Sequence, residues 1–423
     1  IETGIYTLRF GRIDGNRERT VTMKYNLDRE INRKGTNSVK WEFIHEGDTL
    51  EHTDQCFGEN RALPMWVADM DFACPRPVVE ALVARAEHGI YGYTAPTDSY
   101  YGSVMGWMKR RHGWEIDPEW ISITPGVVPA LNMLIRTFVP PGDKVLIQPP
   151  VYHPFFHAIE NNDTELVANS LVYEKDGYQM DFADLEEKTQ DPQLKMAILC
   201  SPHNPVGRVW TRDELVRFGE ICLRNEVLIV SDEIHGDLTY KGVVFTPFAS
   251  ISQEFAQNTI VCTAPSKTFN MAGLATSNIL IPNDQLRSRY TEMLKSNGLF
   301  GLNTFGVVAL EAAYNHGEEW LDQVLDYLED NLDFLEAYVS QHIPGISVVR
   351  PEGTYLVWLD CRRLGLGKLE LKEFMQNDAG LCLNEGYMFG PEGEGFERIN
   401  IACPRSILVD ALERIKNAVD RLR

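Results

Sequence analysis

Residues 196–232 read MAILCSPHNPVGRVWTRDELVRFGEICLRNEVLIVSD, and this stretch decides the fold. Met196 to Cys200 and Val227 to Val230 are short apolar runs of strand length. Between them, Thr211 with Glu214 three residues later forms a capping-box signature ahead of Leu215, Phe218 and Cys222 at helical spacing. A strand, a helix and a second strand in this order make a parallel crossover unit. The same alternation extends outward through the strand candidates Lys144 to Ile147 and Ile260 to Thr263, so the expected core is a mostly parallel sheet flanked by helices, an α/β class.

Further out, Leu321, Leu325, Leu328, Leu332 and Leu335 step by four and three, the stripe of one long amphipathic helix. Leu408, Leu412, Ile415, Val419 and Leu422 repeat that rhythm in a terminal helix. With 423 residues, the chain exceeds what one core usually supports. We expect a large domain over residues 71–310 and a smaller α+β domain from 23–70 and 311–423. Residues 1–22, polar and arginine-bearing ahead of Met23, are expected to be an extension or an expression remnant.

A net charge of -21 repels phosphate backbones and anionic lipid, which argues against nucleic acid and membrane surfaces as partners. No apolar run approaches the roughly 20 residues of a membrane span. The eight cysteines contain no CxxC pair, which argues against a zinc ribbon, a dithiol centre or a disulfide framework and suggests a reducing compartment, the cytoplasm.

In an open α/β sheet, ligands collect at the carboxyl ends of the strands, and four polar segments follow strands here. After Cys200 comes Ser201-Pro-His-Asn-Pro-Val-Gly207, a turn that presents Asn204 as an amide donor suited to a phenolic oxygen, although an Asn before Pro also simply forms turns. After Val230 comes Ser231-Asp232-Glu-Ile-His235. Asp232 facing a pyridine nitrogen would keep it protonated, and His235 would donate to a neighbouring ring oxygen; a plain loop cap and a structural histidine are the alternatives.

After Thr263 comes Ala264-Pro-Ser266-Lys267, which sets an amine at the end of a buried strand, where lost hydration favours the neutral, nucleophilic form over that of an exposed loop lysine. Thr124-Pro-Gly126-Val127-Val128 reads as a helix start with free N–H groups for an anion, with the hydroxyls of Thr263 and Ser266 as further donors. Tyr152, beside two prolines, suits stacking on a flat heterocycle or plain core packing. Arg398 suits a bidentate grip on a carboxylate, or a surface ion pair.

Together these segments resemble fold-type I enzymes of the class I and II aminotransferase superfamily, which carry pyridoxal 5'-phosphate (PLP), in the same order over nearly all of residues 23–423. The resemblance implies that Lys267 forms the Schiff base, Asp232 pairs with the pyridinium, Asn204 holds the ring oxygen and Arg398 binds the substrate carboxylate. Tyr93, in Tyr91-Gly-Tyr-Thr-Ala-Pro96, matches a tyrosine that such enzymes send into the neighbouring subunit's phosphate site, which implies a homodimer.

Within the superfamily, Met65-Trp-Val-Ala-Asp-Met-Asp-Phe72, Asp232-Glu-Ile-His235 and Ser266-Lys-Thr-Phe-Asn-Met-Ala-Gly-Leu274 are most similar to the cystathionine β-lyase and cystalysin group of carbon–sulfur lyases. Aspartate aminotransferases carry an arginine eight residues after the lysine; here that position is Ala275. The resemblance therefore implies β-elimination on sulfur amino acids. An aminotransferase is the alternative within the superfamily, and a PLP-binding regulatory protein the alternative outside enzymology.

Overall fold

The computed structural model describes residues 6–9, 20–46, 49–52, 62–174, 177–299 and 301–422. Cys56 and most of residues 1–22 lie outside these; of the latter, Tyr6–Arg9 pairs antiparallel with Thr20–Met23.

The central sheet has seven strands: β1 (Ile121–Thr124), β2 (Lys144–Ile147), β3 (Glu165–Ala168), β4 (Leu194–Cys200), β5 (Leu228–Asp232), β6 (Thr259–Thr263) and β7 (Ser277–Leu280). Their spatial order is β1-β7-β6-β5-β4-β2-β3, and β7 alone runs antiparallel to its neighbours. Side chains alternate between the faces. Met196, Ile198 and Cys200 pack with α3 (Val127–Phe138) through Leu131 and Ile135, while Ala197 and Leu199 pack with α4 (Arg212–Arg224) through Leu215, Phe218 and Cys222. Coverage on both faces is why these strands read as continuous apolar runs. The capping box at the start of α4 forms as expected: Thr211 Oγ1 accepts from the Glu214 N–H, and the Glu214 carboxylate accepts from the Thr211 N–H at 2.8 Å.

β5 ends two residues beyond the expected Val230. Asp232 lies in register between Cys200 and Cys262, its carbonyl accepts from the Ser201 N–H at 3.0 Å, and parallel partners on both sides keep the chain extended.

A second, antiparallel sheet is built from β8 (Ser347–Val349), β9 (Leu356–Asp360), β10 (Asn384–Glu385) and β11 (Phe396–Asn400), in the order β8-β9-β11-β10. The leucine stripe lies on α6 (Glu318–His342), where Leu321, Leu328, Leu332 and Leu335 are buried, and the terminal stripe lies on α7 (Arg405–Leu422). Both pack in one hydrophobic cluster with β9 and β11. Among the described residues no His/Cys/Asp/Glu group is arranged to hold a metal, and no helix is long and apolar enough to cross a membrane.

Candidate active site

Strand register assembles the site. Because Cys200, Asp232 and Cys262 are direct neighbours across β4, β5 and β6, the loops that follow them emerge side by side at one edge. The antiparallel β7 continues that edge: Thr263 opposes Asn278, and Ser277 opposes Thr124. The turn at Gly126 is thereby brought next to the loop carrying Lys267. Gly126 precedes α3 with φ of 157°, a backbone that favours glycine, and the N–H groups of Val127 and Val128 begin the helix without intrahelical acceptors. Thr124 and Ser277 lock the turn through a 2.8 Å hydroxyl contact.

Lys267 lies at the end of a single helical turn, Pro265–Thr268, and its Nζ donates to the Ala68 carbonyl at 2.7 Å. Burial lowers its pKa to about 8; the charge of Arg398 pushes the same way, and the carboxylates of Asp69 and Asp232 oppose it. Asp232 is 3% exposed, and its carboxylate accepts from the Ile234 N–H at 3.2 Å. Burial raises its carboxyl to about 7, with that hydrogen bond and the Lys267 charge pulling it down. A carboxyl so placed gains from a cationic ring nitrogen.

His235 is buried, and desolvation, then the charges of Lys267 and Arg398, hold it well below its usual value, so it is a neutral imidazole. Its Nδ1 has no hydrogen-bond partner among the described residues. Tyr152 has its phenol pushed up to about 12, by burial first and the Asp232 carboxylate second. Its ring stands edge-on to Phe155 at 5.8 Å.

Arg398 reaches the same cleft from β11. Nη1 donates to Asn204 Oδ1 at 2.9 Å, and Nη2 donates to the Trp66 carbonyl at 3.0 Å and to Asn384 Oδ1. Nε is buried with no partner among the described residues, so the guanidinium retains donor capacity for an incoming anion. Asn204 spends its oxygen on Arg398, which leaves its amide N–H groups for another acceptor.

Thr263 ends β6 and Ser266 lies in the helical turn beside Lys267, so both hydroxyls are carried by the segment that presents the amine. Tyr93 is fully exposed on its own chain. Ala275 occupies a left-handed turn with φ of 45°.

The sequence reading missed the far wall. Ala68 accepts from both Lys267 Nζ and the hydroxyl of Tyr355, the latter at 2.9 Å. Tyr355 is buried, and its ring stands edge-on to His235 at 6.1 Å. Segment 65–71, a strap across the cleft, is held by Asn270, whose side chain accepts from the Met70 N–H and donates to the Met70 and Phe72 carbonyls. Asn400 donates to the Val67 and Asp69 carbonyls at 2.7 and 2.6 Å. In the sequence the strap stands out only through the resemblance of Met65 to Phe72 to the lyase group; nothing in its composition announces a carbonyl as the partner of an amine.

The donor set fits PLP: an amine poised near neutrality, a buried carboxyl that favours a cationic neighbour, orphaned donors on His235 and Arg398, and a helix N-terminus for the phosphate. The sequence profile described as Aminotransferase class I and II matches residues 66–415. The chain belongs to this family. Among its relatives, the cystathionine beta-lyase PatB of Bacillus subtilis (strain 168) is 47% identical over 395 residues, covering 93% of this chain and 100% of that protein. The crystal structure of cystalysin from Treponema denticola, which contains a pyridoxal 5'-phosphate cofactor, is 39% identical with a TM-score of 0.89, covering 95% of this chain and 100% of that one. The PLP-bound C-S lyase from Staphylococcus hominis is 34% identical with a TM-score of 0.84, covering 93% and 98% of the two chains.

Proposed function

We propose that this member of the aminotransferase class I and II family is a PLP-dependent carbon–sulfur lyase that cleaves the Cβ–S bond of sulfur amino acids of the cystathionine type. The observation that carries the reading is the convergence of Lys267, Asp232 and Arg398 on one cleft, in a chain 47% identical to a cystathionine beta-lyase. When bound, PLP supplies an electrophilic aldehyde carbon and a ring that accepts negative charge from Cα.

The chain's residues do the rest. Lys267 anchors the cofactor, and its amine, held near neutrality by burial, takes the Cα proton. Asp232 keeps the ring nitrogen cationic. Asn204 and the neutral His235 donate to the ring oxygen, and Tyr152 covers one face. The N–H groups of Gly126, Val127 and Val128 with the hydroxyls of Thr263 and Ser266 would hold the phosphate. Arg398 orients the substrate by its carboxylate, so that the Cα–H bond faces Lys267. The thiolate leaves Cβ, and the three-carbon fragment departs as 2-aminoacrylate, which hydrolyses to pyruvate and ammonia.

The large domain spans residues 71–310 and the small domain residues 23–70 and 311–423, with the cleft between them. The chain works as a homodimer in which Tyr93 completes the partner's phosphate site; its full exposure beside the exposed Ile90 and Tyr91 supports this. The scatter of the cysteines along the sequence, without a CxxC pair, supports a cytoplasmic location.

Incubation with cystathionine and no keto acid is expected to release thiol and pyruvate over many turnovers. A single half-turnover that resumes only when a keto acid is added would replace this reading with transamination. Lys267→Ala is expected to abolish turnover and the visible absorbance of the bound cofactor, while circular dichroism stays that of the parent.

A further inference from the structure

The strap that faces Lys267 is itself held by an ionic cluster from the N-terminal segment. Arg33 makes four hydrogen bonds to it: Nη1 to Asp69 Oδ1 at 2.9 Å, to Asp71 Oδ1 at 2.8 Å and to the Met70 carbonyl at 3.3 Å, and Nη2 to Asp69 Oδ2 at 2.6 Å. Lys40, completely buried, donates to Asp71 Oδ2 at 2.6 Å, and Trp41 Nε1 donates to Asp71 Oδ1 at 2.8 Å. The Lys40 carbonyl also accepts from Trp66 Nε1 at 3.2 Å. Trp66 at one end of the strap and Asp69 to Asp71 at the other are thus bonded to residues 33–41, and between these pins lies Ala68, whose carbonyl receives the Lys267 amine.

A buried ion cluster is weak evidence for stability, because desolvation offsets most of its attraction. What distinguishes this one is its target. A plain staple would bind wherever the segment lies on the core; this one clamps the residues on either side of the one carbonyl that Lys267 touches. We propose that Arg33, Lys40 and Asp69 are positioning residues for the reactive amine: the two cations fix the strap so that the Ala68 carbonyl and the Asp69 carboxylate are held against Lys267.

The charged and titratable groups facing that amine are Asp69 on the strap, Asp232 on β5, Arg398 on β11, His235 after β5 and Tyr355 before β9. The contribution of Asp69 favours the ammonium form, and burial under the strap favours the amine. Removing the Asp69 charge and loosening the strap therefore act in opposite directions, which a merely structural cluster would not do.

This inference rests on the reading of Lys267 as the reactive amine. In the apoprotein, competitive acetylation of Lys267 across pH, read by mass spectrometry, gives the midpoint of its protonation; in the holoenzyme, the acid limb of kcat reports the same group with substrate bound. Asp69→Asn keeps the shape of the side chain and removes its charge, and the midpoint is expected to fall by about one pH unit or less. Arg33→Met loosens the strap, admits water and is expected to raise the midpoint, with a roughly 10- to 100-fold loss of kcat that Arg33→Lys recovers in part.

Midpoints unmoved in both variants overturn the proposal, whatever happens to their melting temperatures. If Arg33→Met does not fold, Asp69→Asn decides alone: a lowered midpoint supports the proposal and an unmoved one ends it. Retention of the cofactor's visible band by Lys267→Ala would instead remove the underlying assignment of Lys267, so the two failures are told apart.

Discussion

The two walls of the cleft are built by different physics. On the sheet side, Asn204, Asp232 and Lys267 stand where they do because three parallel strands end in register: Asp232 is the last residue of β5, and Asn204 and Lys267 each follow their strand by four residues. On the strap side, Arg398 stands in register on β11 and backbone bonds tie the strap at its ends, Met65 to Cys382 and Asn400, and Asp71 to Ala402, while Ala68 and Asp69 between them rely on side-chain bonds from residues far apart in the chain, such as Asn400 to the Val67 and Asp69 carbonyls and Arg33 to the Asp69 carboxylate. The sheet wall is a backbone construction that tolerates loss of a side chain. The middle of the strap is a side-chain construction between backbone-tied ends, and it is expected to shift when one of those side chains is lost.

The largest effect that sharpens this contrast is expected at Asp232. Asp232→Asn leaves the strand ladder and the fold intact, since the Asp232 backbone carries the sheet bonds, but removes the charge that holds the ring nitrogen protonated. A loss of roughly 10²–10³-fold in kcat is expected, the size of one preorganised electrostatic contact, with a melting temperature near that of the parent. A variant that unfolds would break the contrast by making Asp232 structural; one that turns over like the parent would remove its role with the ring.

Legibility in the sequence follows the same division. β4, β5 and β6 were readable because buried parallel strands are apolar on both faces, and Lys267, Asp232 and Asn204 were readable because each occurs just past such a run. β5 was read two residues short, since Asp232 looks like a loop residue until its neighbours Cys200 and Cys262 are known to claim its backbone. Tyr355 was invisible, being one aromatic in an apolar strand approach, and its partner is a carbonyl some 287 positions away. No local pattern encodes such a pairing.

The second effect tests the strap side. Arg398→Lys retains a charge but loses the planar fork that joins Asn204, Trp66 and Asn384. A 10- to 100-fold rise in KM for cystathionine is expected, on the order of 1.4–2.7 kcal/mol at ~1.4 kcal/mol per decade, with a smaller change in kcat. An unchanged KM would mean that the carboxylate is held elsewhere, and a large loss of stability would mean that the fork is mainly a clamp on the strap.

The smallest effect concerns Lys267, which sits where the two walls meet and is carried by one while bonded to the other. In the apoprotein its amine has a pKa of about 8 against an ordinary 10.5, chiefly because it is buried. Below pH 8 the folded chain must hold an ammonium in a poor environment, whereas the unfolded chain holds it in water, so the group destabilises the fold there. Between pH 8 and 10.5 the unfolded chain alone keeps the proton, and the penalty is progressively relieved as pH rises.

The full gap converts to at most about 3 kcal/mol, and residual hydration of the partly accessible side chain reduces that to roughly 1–2 kcal/mol. Loss of the lysine charge also lets Asp232, already at about 7, remain protonated at neutral pH, so little new penalty replaces the old one. Lys267→Met is therefore expected to raise the urea midpoint of the apoprotein at pH 7, with the advantage shrinking by pH 10. Equal stability at both values would mean that the amine is hydrated, and that the strap does not enclose it.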